Sequence, residues 1–108
     1  MKLLLTIAAV FVLASTPRLK PGVCLKESIP SGRKEVHWLV LGNKQVSYWN
    51  CELTVYLICS SFDRKPWKDC RMKIPVDVLE NDQFQKTTCP TQEFENKEDA
   101  KEFRKILD

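Results

Sequence analysis

The chain has one histidine, His37, and five cysteines: Cys24, Cys51, Cys59, Cys70 and Cys89. These are the residues that could do covalent chemistry. A Cys–His nucleophilic pair needs a reactive thiolate beside the imidazole and a third group to orient the ring. Cysteines of a secreted chain are usually oxidised, and so short a chain leaves little room for a cleft. A metal centre needs closely spaced ligands such as CxxC, HxxxH or a ladder of carboxylates, and no such spacing occurs. No glycine-rich phosphate loop is present. His37 reads instead as a half-exposed strand residue beside Val36 and Trp38. The expectation is a protein that is not an enzyme, with no catalytic residue, no cofactor and no metal.

The cysteines speak to compartment rather than catalysis. The chain begins "MKLLLTIAAVFVLAS": one basic residue, Lys2, then an apolar run from Leu3 to Ala14. That run is shorter than the roughly 20 residues a membrane-crossing helix needs. It has the form of a secretory signal peptide, with Val12 and Ala14 placed for cleavage after Ala14. Residues 1–14 are therefore expected to be removed and the mature chain to be secreted and extracellular. Ninety-four residues then remain, with 16 basic and 14 acidic side chains and a net charge of +2. That charge is too mild to argue for nucleic acid or a membrane surface as partner. A single domain of this size has a marginal core, and disulfides are the usual remedy.

The elements that must position these cysteines are mostly strands. Residues 15–35, with "STPRLKPG" and "SIPSGRK", read as irregular. "EVHWLVL" reads as a strand closed by a turn at "GNK". In "WNCELTVYLICS", Trp49, Cys51, Leu53, Val55, Leu57 and Cys59 alternate with Asn50, Glu52, Thr54, Tyr56, Ile58 and Ser60, so one strand face is expected to be buried. "FDRKPWKD" is a loop, and "CRMKIPVDVL" is a weaker strand that Pro75 pushes to an edge. "ENKEDAKEFRKILD" reads as a helix over about 97–107. Asn96 caps it, acids occupy its first turn and bases its last, and Ala100, Phe103 and Leu107 share a face that docks on the body. The fold class is mainly β: a small antiparallel, disulfide-stabilised sheet domain over 15–94 with a C-terminal helical tail over 95–108.

Eight strand residues at about 3.3 Å each hold Cys51 and Cys59 roughly 26 Å apart. A disulfide needs Cα atoms within about 7 Å, so these two do not pair. The pattern leaves the remaining pairings open. It places Cys51 on the face of Leu53, Val55 and Leu57, where a free thiol would be buried and inert. The competing reading is an exposed Cys51 that bridges two chains.

Two stretches could make contacts. "DRKPWKDCRMK" is rich in basic residues around Trp67. It is either a recognition loop anchored by that tryptophan or a solvated loop whose tryptophan folds back over Cys70. His37, Trp38 and Leu39, in "HWLVL", are apolar on both sides of the strand. The segment is either a central strand or an edge open to strand addition by another chain.

Several strings resemble the β-microseminoprotein family, the prostatic secretory proteins and the small serum proteins of snakes. "GNK" at 42–44 is followed by a tryptophan and "NCE" at 50–52. "CSSF" at 59–62 precedes Pro66 and "KDC", and "VDVLENDQFQKTTC" runs from 76 to 89. The match covers roughly residues 23 to 94. Family members usually carry ten cysteines in five disulfides, and two whole bridges are missing here, at the positions of His37 with Tyr56 and of Thr54 with Ile58. The resemblance implies bridges Cys24–Cys59 and Cys70–Cys89, with Cys51 the odd thiol. It also implies a secreted, non-enzymatic binding protein whose partner is a secreted protein such as a cysteine-rich secretory protein. In that family sheet edges bind such partners, so the resemblance makes the segment of His37, Trp38 and Leu39 the leading contact surface; a weak homodimer is compatible with the same edges. The alternative is a small secreted effector, a toxin or protease inhibitor, presenting "DRKPWKD".

Overall fold

The structure is a computed structural model that describes residues 17–28 and 35–107. The expected signal peptide falls outside those residues. Among the described residues, five strands and two helices follow in chain order: β1 (Cys24–Glu27), β2 (Val36–Tyr48), β3 (Cys51–Phe62), β4 (Lys68–Pro75), α1 (Val76–Leu79), β5 (Phe84–Thr87) and α2 (Lys97–Leu107). The strands form one antiparallel sheet in the order β4-β3-β2-β1-β5. The expected mainly-β, disulfide-stabilised domain with a C-terminal helix is the fold observed.

β2 and β3 are the spine. They pair from Val36↔Phe62 to Tyr48↔Cys51, with one bulge between Val40 and Gly42. The turn expected at "GNK" does not form. The bulge takes up Leu41, and the strand runs on to a two-residue turn at Trp49 and Asn50. Both have positive φ, 51° and 63°. Such a turn matches the twist of the two strands it joins. Asn50 tolerates this conformation well; Trp49 does not.

The sheet is covered on both faces at its centre. On one face, Leu25, Val40, Tyr56 and Ile58 pack with Leu19 and with Val76 and Leu79 of α1. On the other, Cys24, Leu39, Cys59, Cys70 and Trp67 form a second cluster, with Phe94 and Phe103 against it. Tyr56 and Ile58 were assigned to a water-facing side by the alternation, yet both are fully buried. The strand is sandwiched there, so both of its faces are core. A buried relay ties the first layer together. The Leu19 N–H donates to the Tyr56 hydroxyl at 2.8 Å, and that hydroxyl donates to Glu80 Oε1 at 2.7 Å.

Two strands lie where the sequence showed none. β1 sits in the stretch read as irregular, and β5 is four residues of "FQKT". Each is too short to display a period. β4 lies at a sheet edge, as expected, but it ends at Pro75 (φ −55°), and Val76–Leu79, expected to continue the strand, form helix α1 instead. Helix α2 spans 97–107, and its first turn is capped by Asn96 Oδ1, which accepts the Glu98 N–H at 2.8 Å. The segment before it is pinned to the body by two backbone bonds, Trp67 N–H to the Glu93 carbonyl and Glu95 N–H to the Trp67 carbonyl.

Four of the cysteines pair as Cys24–Cys89 and Cys59–Cys70. This corrects the pairing that the resemblance implied, and the register gives the reason. Cys24 lies across from Leu39, which lies across from Cys59. One whole strand separates the two cysteines, about 10 Å at the usual strand spacing, too far for a bond. Cys70 and Cys89 lie toward opposite edges of the sheet, on β4 and just beyond β5. Each cysteine bonds the partner the sheet places beside it.

Candidate partner-binding surface

The pairing of β1 with β2 ends at Leu39, with two further backbone bonds between the segment before β1 and Val40. The pairing of β4 with β3 ends at Val55↔Pro75. Beyond those points β2 and β3 pair only with each other. Residues 43–54 therefore form a two-stranded arm that reaches beyond the sheet by roughly five residues per strand, about 17 Å. Each strand has a backbone edge with no neighbour among the described residues.

The arm is amphipathic. Cross-strand partners share a face, so Lys44 with Val55, Val46 with Leu53 and Tyr48 with Cys51 make one side. Asn43 with Tyr56, Gln45 with Thr54 and Ser47 with Glu52 make the other. The polar side is internally satisfied in part, since Gln45 Nε2 donates to Thr54 Oγ1 at 2.7 Å. The apolar side is uncovered toward its tip. Leu53 is 39% exposed, Tyr48 65% and Trp49 83%. The Tyr48 and Trp49 rings meet edge-on with centroids 6.2 Å apart. At the arm's base Lys44 and Lys73 stand together. A hydrogen bond from Lys73, and its like charge, hold the Lys44 ammonium below the usual lysine range.

The sequence-derived candidates fare differently. Cys51 is the free cysteine, and it is exposed. The expectation of a buried, inert thiol is corrected. The alternation identified its face correctly, but the covering layer stops near Val55 and no described residue lies over the tip. Trp38 and Leu39 are not at an edge. They belong to the central strand β2, flanked by β1 and β3 on either side, so the contact surface assigned to His37, Trp38 and Leu39 is corrected too. His37 is buried at 5% exposure, and its Nδ1 has no hydrogen-bond partner among the described residues. Burial therefore holds the imidazole below its ordinary pKa, with Glu35 opposing and Lys26 and Arg64 adding to the shift.

Trp67 is 1% exposed, and its indole N–H donates to the Thr91 carbonyl at 3.0 Å. It covers the Cys59–Cys70 bridge and is not a contact anchor. The loop around it turns at Asp63 and Arg64, both with positive φ, and Arg64 Nε bonds Glu35 Oε2 at 3.1 Å.

The residues that sequence reasoning missed are Tyr48 and Trp49. The available signal was "YWNC": an asparagine in a two-residue gap between stretches that alternate on both sides. The "GNK" triplet drew the turn six residues too early. Among the described residues no group of three or more His, Cys, Asp or Glu side chains could hold a metal ion, and no helix is long and apolar enough to cross a membrane. The two disulfides fit an oxidising, extracellular setting. No family model, curated protein or solved structure matches the chain.

Proposed function

We propose that this chain is a secreted, non-enzymatic binding protein of the β-microseminoprotein kind, and that it acts through protein–protein contacts made by the β2–β3 arm. The observation that carries this reading is the arm itself. An isolated two-stranded ribbon is marginal in water, and this one ends in an exposed tryptophan held at positive φ. Exposed aromatic side chains of this kind are what protein interfaces bury at their centres. The free edges add a second mode, since an extended segment of a partner can pair with them. The partner is a secreted protein with an apolar patch or open strand edge, and a cysteine-rich secretory protein is the first to try.

The test compares the wild-type chain with Trp49→Asn in binding a purified cysteine-rich secretory protein and in capture from extracellular fluid. Asparagine accepts the turn conformation, so the arm stays folded while the aromatic is lost. Binding that falls at least tenfold supports the arm; equal binding by the two proteins removes it. A second reading, a protease inhibitor, is favoured by one observation: the loop at 63–69 is braced by the Cys59–Cys70 bridge and presents Arg64 to solvent. Inhibition of any member of a serine and cysteine protease panel, abolished by Arg64→Ala, would select it.

A further inference from the structure

Helix α2 covers the sheet loosely. None of its residues is buried, although Ala100, Phe103 and Leu107 form its apolar face. The space left between the helix and the sheet is a groove of about 440 Å³. Leu39 and Trp67, each 1% exposed, line it, and Phe94 and Phe103 form a wall with ring centroids 5.6 Å apart. Leu107 lies across one end, against Gly22, whose φ of +95° and missing side chain allow the approach; a Cβ there would meet Leu107 Cδ2 at 3.0 Å.

Besides Trp67, the polar residues lining this groove are Thr91, Gln92 and Arg104. The Trp67 indole N–H is already bonded to the Thr91 carbonyl. Arg104 lines the groove and is solvent-exposed, and it has no ion-pair partner among the described residues. An apolar chamber of 300–1,000 Å³ with one or two placed polar groups is the usual form of a small-molecule site. Here the one charged group of the lining is the Arg104 guanidinium, which matches a carboxylate in shape and charge.

We infer that the groove under α2 binds a small amphiphile: an apolar chain or ring system of roughly a dozen to twenty non-hydrogen atoms ending in a carboxylate. The apolar body lies against Trp67, Phe94 and Phe103, and the carboxylate accepts hydrogen bonds from Arg104. This site is independent of the arm, which lies at the far end of the β2–β3 ladder, and the two readings stand or fall separately.

The experiment uses the mature chain labelled with ¹⁵N and titrated with decanoate below its micelle concentration. Three indole N–H signals report three places. Trp67 lies in the groove, Trp38 bonds Glu27 on the opposite face of the sheet, and Trp49 is at the arm tip. The expected result is a saturable shift of the Trp67 signal with Kd of roughly tens to hundreds of micromolar, and little change at Trp38 or Trp49. Arg104→Gln is expected to weaken decanoate about tenfold and leave decanol unchanged, as loss of one charge-assisted bond would do. Any of three results overturns the proposal: no Trp67 shift up to millimolar decanoate, a shift only at Trp49, or equal affinity of wild type and Arg104→Gln for decanoate.

Discussion

Replacing one cysteine from each bridge separates the two possible pairings cleanly. In the double variant Cys24→Ala/Cys59→Ala the observed pairing loses both disulfides, because Cys24 bonds Cys89 and Cys59 bonds Cys70. Under the pairing that the resemblance implied, the same variant loses one bridge and keeps Cys70–Cys89. The magnitudes follow from loop length. The Cys24–Cys89 bridge spans 65 residues and the Cys59–Cys70 bridge spans 11. In the chain-entropy account these restrict the unfolded state by about 4.3 and about 2.8 kcal/mol. Removing both costs about 7 kcal/mol, comparable with the whole stability of a small domain. The double variant should therefore be unfolded or nearly so at 25 °C, with three thiols titratable in denaturant: Cys51, Cys70 and Cys89. The matched controls keep one bridge each. Cys59→Ala/Cys70→Ala should fold with its melting temperature lowered by about 14 °C, and Cys24→Ala/Cys89→Ala by about 20 °C. Thermal melts by circular dichroism and thiol counting give both readouts. A folded Cys24→Ala/Cys59→Ala protein with a single free thiol would refute the register argument on which the pairing rests.

Tyr56→Phe removes the acceptor of the buried Leu19 N–H and should cost about 1–3 kcal/mol in urea unfolding, since that donor is left unpaired. Burial disfavours the charge of Glu80, but the Tyr56 hydroxyl, the Arg18 N–H and the Arg18 guanidinium outweigh it, so its carboxyl lies below the usual range. Its stabilisation is therefore complete above the unfolded carboxylate pKa and lost as pH falls through the folded value; Glu80→Gln should flatten that acid limb in pH-dependent melts. His37, also depressed, is charged more readily in the unfolded chain, so stability should fall as pH drops below about 6.5, and His37→Phe should remove that component. A chain ending at Asn96 should keep its strand signal in circular dichroism and melt at a lower temperature, because α2 contributes no fully buried residue. Trp49→Asn should slow hydrogen exchange in the arm, corresponding to about 1 kcal/mol, because asparagine relieves the left-handed backbone and little burial is lost.

Helix α2 was the most legible element, because its cap, its charge order and its apolar spacing agree over eleven residues. The continuity of β3 was equally legible, and with it the exclusion of a Cys51–Cys59 bond. What alternation could not show is where a covering layer ends. The face of Cys51, Leu53, Val55 and Leu57 is a single stripe in sequence, yet it passes from core at Val55 to solvent at Cys51. That change coincides with the ends of the flanking strands, Pro75 in β4 on one side and the short β1 on the other, both distant in sequence. The disulfide pairing was hidden for the same reason. It depends on strand order, and β1 and β5 are four residues each, too short for a pattern to reveal them. The groove under α2 was beyond sequence reading altogether, since a stripe at helical spacing does not tell how closely the helix will seat.

The central claim is that the β2–β3 arm makes the contact. Hydrogen–deuterium exchange of the chain, free and bound to a captured extracellular partner, tests it directly. Among the described residues the arm's outer edges have no neighbour and its apolar face is uncovered at the tip, so its amides exchange quickly when it is unbound. The account predicts strong protection on binding confined to residues 46–53, with little change at 63–69. Protection at 63–69, or at any surface that leaves Tyr48, Trp49 and their neighbours exchanging as fast as before, would contradict it.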